Sequence, residues 1–137
     1  MVSLRVCIDV DDLDRGIAFY TGALGLTVGR RFGSDWVELS GAGSPVDLLA
    51  KAAGTRPSPN ASGVRDYGRH WTPVHLDFVV TDLDVTLARC VGAGAVVEQA
   101  PQAKKWGRIA IVADPFGHGL CLLEFRGRGY DEILAPA

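Results

Sequence analysis

The chain has 137 residues, 47% of them apolar and 22% charged, with a formal net charge of −2, which fits one compact globular domain. That balance excludes a basic face for nucleic acid or a polybasic membrane anchor, and no apolar run approaches the roughly 20 residues needed to span a bilayer. The three cysteines, Cys7, Cys90 and Cys121, form no CxxC pair, and Arg5, Asp9, Asp11 and Asp12 interrupt any signal-peptide core, so the reading is a cytoplasmic chain with free thiols.

In chain order, the first signal is a strand. Leu4, Val6, Ile8 and Val10 alternate with Arg5, Cys7 and Asp9, the period-two pattern of a sheet with one face on a core. A helix follows: Asp11 or Asp12 caps its start, Leu13, Ile17, Tyr20 and Leu24 recur at helical spacing, and Gly25 ends it. Three shorter strands are expected next, LTVGRRF (26–32), DWVELS (35–40) and VDLLAK (46–51). Residues 52–72 form a long connection rich in Gly, Pro, Ser and Asn at 54–63; a loop of that length is usually functional or mobile.

The pattern then starts again. Val74, Leu76, Phe78 and Val80 alternate with His75, Asp77 and Val79; Thr81 or Asp82 caps a helix with Leu83, Leu87 and Val91 on one face, ended by Gly92 and Gly94. AVVEQ (95–99), GRIAIVA (107–113) and GLCLLEF (119–125) supply three more strands, with Pro101 and the stretch from Asp114 to Gly119 as turns. Residues 4–23 align without a gap on residues 74–93 at an offset of 70, with Asp12-Leu13-Asp14 on Asp82-Leu83-Asp84, Ala18 on Ala88, and Gly22-Ala23 on Gly92-Ala93. A fixed internal period marks a repeat. The expected organisation is therefore one α+β domain of two βαβββ modules with pseudo-twofold symmetry. Module one covers 3–51, the connection 52–72, module two 73–125, and a tail 126–137 follows.

Three segments, DVDDLDRGIAFYTGALGL, VHLDFVVTDLDVTLARCVGAGA and ADPFGHGLCLLEF, resemble the vicinal oxygen chelate superfamily, which includes glyoxalase I, extradiol dioxygenases, fosfomycin-resistance enzymes and bleomycin-binding proteins. The resemblance covers roughly 3–125. It implies eight strands curved into a cup, with the odd-numbered side chains Arg5, Cys7, Asp9, His75 and Asp77 facing inward. It also implies four metal ligands, one on the first and one on the last strand of each module, and a homodimer. Carried over by the repeat, those positions are Arg5, Asp47, His75 and Cys121. A guanidinium has no lone pair for a metal, so Arg5 breaks the plan. His75, Asp47 and Cys121 alone are the candidate metal ligands, and no cofactor is assigned. Glu124, three residues after Cys121, belongs on the opposite sheet face.

With the metal plan incomplete, the cup suits a small anionic or carbonyl-bearing organic molecule. Arg5 has the geometry to clamp an anion, and His75, with Asp47 or Asp77, to move a proton. Asp77, Cys121, Trp106, Arg108 and Trp36 complete the expected ligand-binding set, the tryptophans as stacking surfaces. The implied activity is that of a lyase or isomerase; the alternative is a non-catalytic binder of a drug or metabolite. A purely structural reading has Arg5 paired internally with Asp77 or Asp47. His118 reads as a solvated turn residue, and Arg65, Asp66, Tyr67, Arg69 and Trp71, around His70, as a surface loop or a lid.

Overall fold

The computed structural model describes residues 1–136 and divides into two compact units, Met1–Gly68 and the chain from Arg69 onward. In the first, β1 (Val6–Val10) leads to α1 (Leu13–Leu24), then β2 (Thr27–Phe32), β3 (Trp36–Ser40) and β4 (Val46–Ala50), in the sheet order β1-β4-β3-β2. In the second, β5 (Leu76–Val79), α2 (Leu83–Gly92), β6 (Val96–Lys104), β7 (Gly107–Ala113) and β8 (Gly119–Phe125) repeat the same plan in the order β5-β8-β7-β6. Both units are βαβββ. Their strands form two four-stranded sheets, each with one parallel pair, β1 with β4 and β5 with β8.

The local chemistry follows the sequence. Asp12 caps α1 by accepting from Arg15 N at 3.0 Å, and Asp82 caps α2 by accepting from Val85 N at 3.0 Å. Gly25 closes α1 in the left-handed region at φ 69°. In the first unit Ile8, Val10, Val37, Leu39 and Leu48 are buried with Phe19 and Tyr20 of α1, each such side chain contributing about 1.5–3 kcal/mol of transfer free energy. The helix lies close to the sheet: a Cβ on Gly16 would stand 3.2 Å from Val10 and 3.3 Å from Leu48. Even-numbered β1 residues therefore face α1, and the odd-numbered ones face away.

The extent of β6 differs from the expectation. β6 runs on to Lys104 rather than ending near Gln99, because irregular pairing with β7 between Val97 and Gln99 and between Gln99 and Gln102 absorbs Pro101. Such a proline is tolerated on an edge strand, where its missing N–H breaks no ladder. The tail forms a short 3₁₀ turn, Gly129–Ile133, whose Tyr130 meets Trp106 and Phe125 at ring-centroid distances of 5.2 and 4.7 Å. Among the described residues no helix is long and apolar enough to cross a membrane.

Glu124 lies on the helix-facing side of β8, as alternation requires. Its carboxylate accepts from Leu83 N, the first residue of α2, at 2.8 Å and from Arg126 Nε at 2.8 Å. The backbone N–H of Leu83, and less strongly Arg126, hold this carboxyl below the usual carboxylate range. A depressed acid adds stability that is present above its unfolded pKa, near ~4.3, and lost as pH falls through the folded value. Glu124→Ala is expected to cost about 1.5–3 kcal/mol at neutral pH, the range for a hydrogen bond to a charged group. In urea titrations its deficit against the parent shrinks once the pH falls through the folded pKa; a pH-independent deficit would show that packing, not the charge, is lost.

Candidate functional site

On the first unit's sheet face away from α1, register brings three side chains abreast: Cys7 lies opposite Asp47, and Glu38 opposite Asp47 on the other side. Arg5, just before β1, grips Asp47 with two bonds, Nε to Oδ2 at 3.1 Å and Nη2 to Oδ1 at 2.8 Å, and reaches Glu38 Oε2 at 2.5 Å. Arg30 closes the array on Glu38, with Nε to Oε1 at 2.9 Å and Nη2 to Oε2 at 2.7 Å. Charges alternate along Asp47, Arg5, Glu38 and Arg30, and Asp47 is 1% exposed. A buried carboxylate needs such a partner. Arg30, then Arg5, holds the Glu38 carboxyl down to about 2, and Asp47, then Glu38, holds the Arg5 guanidinium well above its ordinary value. Cys7 Sγ lies 3.8 Å from Asp47 Oδ2, and burial, reinforced by the Asp47 charge, raises its thiol pKa.

The Arg5 and Arg30 side chains border a cleft of about 350 Å³ that the β3–β4 hairpin, Ser40 to Pro45, completes. Both cations already have carboxylate partners there. Trp36 shares the face of Glu38 but packs on Phe32 at a centroid distance of 4.4 Å. The loop after β4 is tied back onto the same unit: Arg65 Nε bonds Asp9 Oδ2 at 2.7 Å, and the Tyr67 hydroxyl donates to Lys51 O at 2.6 Å.

On the second unit, β5 and β8 pair with Asp77 opposite Cys121. His75, one residue before β5, has Nε2 3.1 Å from Asp77 Oδ1. Both side chains stay accessible, at 36% and 43% exposure. Trp71 lies on the imidazole with centroids 4.6 Å apart and planes 32° apart. The Cys121 thiol is pushed up to about 11, by burial first and by the Asp77 charge second. A thiol at that value is protonated at neutral pH, so Cys121 contacts the dyad as an apolar neighbour and weak hydrogen-bonding group rather than as a nucleophile.

The other expected residues lie elsewhere on this unit. Arg108 faces α2, where Nη1 and Nη2 hold both Asp84 oxygens at 2.9 and 2.8 Å. Trp106 packs in the Phe125–Tyr130 aromatic cluster. Sequence reasoning did not single out Glu38 and Arg30 as site residues, because the β3–β4 register that sets Glu38 beside Asp47 leaves no local signal. It also missed the hydrogen bond between the His70 and His118 rings, with His118 Nδ1 and His70 Nε2 2.9 Å apart.

Each of His75, Asp77 and Cys121 offers one ligand atom, all within 4.8 Å of one another, and the N, O and S donors are of the types zinc accepts. The four-ligand plan implied by the resemblance does not fit, however. Its first position is the permanently cationic Arg5, which also occupies both oxygens of Asp47, the ligand expected beside it.

A family model described as a glyoxalase-like domain matches residues 5–123. An uncharacterized protein of Mycobacterium bovis is 44% identical over 66 residues, 47% of this chain and 43% of its own length. The anthracycline biosynthesis protein DauV of Streptomyces sp. strain C5 is 33% identical over 121 residues, 85% of this chain and 38% of its own. The chain thus spans about two fifths of the length of these curated relatives. Among solved structures, a glyoxalase-related enzyme from Fulvimarina pelagi superposes with a TM-score of 0.70 at 17% identity, covering 90% of this chain and 87% of that one.

Proposed function

Because the chain belongs to the glyoxalase-like domain family, within the vicinal oxygen chelate superfamily, we propose that it acts on a small, flat, carbonyl-bearing organic molecule by moving a proton at His75. The observation that carries this reading is the exposed His75–Asp77 pair. A carboxylate on Nε2 fixes the tautomer with the proton there and leaves Nδ1 as the base. Asp77 also stabilises the imidazolium that forms when Nδ1 takes a proton.

The step balances simply. Nδ1 accepts the proton from a carbon next to the carbonyl, and the C–H electron pair moves onto the carbonyl oxygen as an enolate. Return of the proton to the same carbon or another gives isomerisation, and departure of a leaving group from the neighbouring carbon gives a lyase. An enolate needs electrostatic stabilisation. Arg5 belongs to the other unit and is committed to Asp47 and Glu38, so no step is assigned to it, and the favoured substrate is a molecule whose enolate is delocalised over its own rings. The relative named for anthracycline biosynthesis points to the same polycyclic, carbonyl-rich class.

The exposed Trp71 ring lying on His75 also favours a second reading, a binding protein that holds such a molecule without chemistry. Incubating the protein with β-dicarbonyl and hydroxyquinone compounds in D2O and weighing them by mass spectrometry separates the two. Deuterium uptake above the buffer rate is expected for the enzyme. Saturable binding with no uptake supports the binder, and neither binding nor uptake sinks both.

A further inference from the structure

Arg5 and Arg30 meet at one oxygen of Glu38, Oε2, which accepts from Arg5 Nη2 at 2.5 Å and from Arg30 Nη2 at 2.7 Å. We propose that the cleft these two arginines border is a binding site for a phosphate group, free or carried on a small organic molecule. The cleft lies wholly within the first unit, and the site does not depend on the role given to His75.

The argument starts from hydrogen-bond donors left over. A guanidinium carries five N–H groups and no acceptor. Arg5 spends three of them, two on Asp47 and one on Glu38, and Arg30 spends two, both on Glu38. Two donors of Arg5 and three of Arg30 are left without an acceptor among the described residues. The nearby carboxylates are already used, since both oxygens of Asp47 and both of Glu38 are bonded. Ser40 and Ser44, on the hairpin that completes the cleft, add two hydroxyls with no side-chain partner among the described residues. A group made only of acceptors fits such a surplus. A carboxylate brings two oxygens, too few to serve both guanidinium groups and the hairpin. A phosphate brings three strong acceptor oxygens and close to two negative charges.

Both cations are held before any ligand arrives. Arg5 is fixed by its fork on Asp47, and Arg30 by its fork on Glu38 and by the Phe32 ring, whose centroid lies 5.3 Å from Arg30 Cζ. Side chains already ordered lose little freedom on binding. The charges of Asp47, Arg5, Glu38 and Arg30 cancel in sum, so exposure decides which sign an incoming ion meets. The Arg5 and Arg30 side chains are 42% and 67% exposed, against 2% for Asp47 and 15% for Glu38. Coulomb attraction falls with distance, and the accessible cations outweigh the covered carboxylates. At about 350 Å³ the cleft has room for a phosphate with a small substituent.

The test titrates the ¹⁵N-labelled full chain with inorganic phosphate, glycerol phosphate and acetate at fixed pH and ionic strength. It follows the amides of Gly41 to Ser44 and the Arg30 Nε–H. Saturable shifts with phosphate are expected there, and acetate is expected to bind about tenfold more weakly or worse. Arg30→Gln should weaken phosphate binding by about tenfold or more, the worth of a hydrogen bond to a charged group. Arg30→Lys keeps the charge but not the fork and should lose part of that affinity; it replaces Arg30→Gln should that variant fail to fold. Arg31→Gln, at a residue of β2 that does not border the cleft, should leave affinity unchanged. Tighter binding of glycerol phosphate than of inorganic phosphate assigns the group to an organic molecule, and the reverse order to the free ion; either supports the site. Shifts that never saturate, equal losses in Arg30→Gln and Arg31→Gln, or acetate bound as tightly as phosphate would overturn it.

Discussion

Alanine in place of His75 is expected to lower the rate of deuterium uptake by a carbonyl substrate by about 10²–10⁴-fold, the usual worth of a positioned general base, with the fold retained. The side chain is only partly covered, so its loss opens no core cavity. Asp77→Asn is expected to lose less, because asparagine can still hold Nε2 but supplies no charge for the imidazolium. Arg5→Met is expected to reduce thermal stability, since it strands the buried Asp47 carboxylate, and to leave uptake unchanged in the folded fraction. Equal loss of uptake in folded Arg5→Met and His75→Ala would return Arg5 to the role of anion clamp. Rates are read by mass spectrometry, and folding by circular dichroism.

The largest expected effect on stability is at Gly107. Its φ is +148°, and a Cβ there would lie 1.9 Å from Glu124 O on the neighbouring strand. Gly107 is paired with Phe125 in the β7–β8 register, so relief requires the two strands to separate at this end. Overpacking against backbone costs roughly 1–3 kcal/mol or more, and a strained dihedral a similar amount; Gly107→Ala should lose about 4 kcal/mol in urea unfolding. Gly92→Ala is the control. No described residue comes within 4 Å of the added carbon and the backbone is helical, so it should gain roughly 0.4–1 kcal/mol. Equal urea midpoints for the two variants would contradict the close strand approach.

Much of this was legible in the residues. The offset of 70 announced two copies of one module, and alternation assigned Ile8 and Val10 to the helix side and Glu124 away from Cys121. The caps were narrowed to Asp11 or Asp12 and to Thr81 or Asp82, because an N-cap acts on amides only three residues away, and Asp12 and Asp82 take the role. What stayed hidden depends on groups far apart in the chain. The sequence left Arg5 with Asp77 or Asp47; the β1–β4 register puts it on Asp47, and Asp77 goes to His75. Glu38 joins through the β3–β4 register. His118, expected as a solvated turn residue, bonds His70 because the strap before β5 returns across the turn before β8. Arg108 shows the limit of alternation alone: strand parity gives a face, and Asp84 at the start of α2 shows that face to be the helix side.

The most direct test of the account is ¹⁵N chemical-shift mapping with a compound from the D2O panel that binds. The largest perturbations are predicted at Trp71, His75, Asp77 and Cys121. Perturbations confined to Arg5, Arg30 and the Ser40–Pro45 hairpin would contradict it and place the ligand in the first unit's charged cleft.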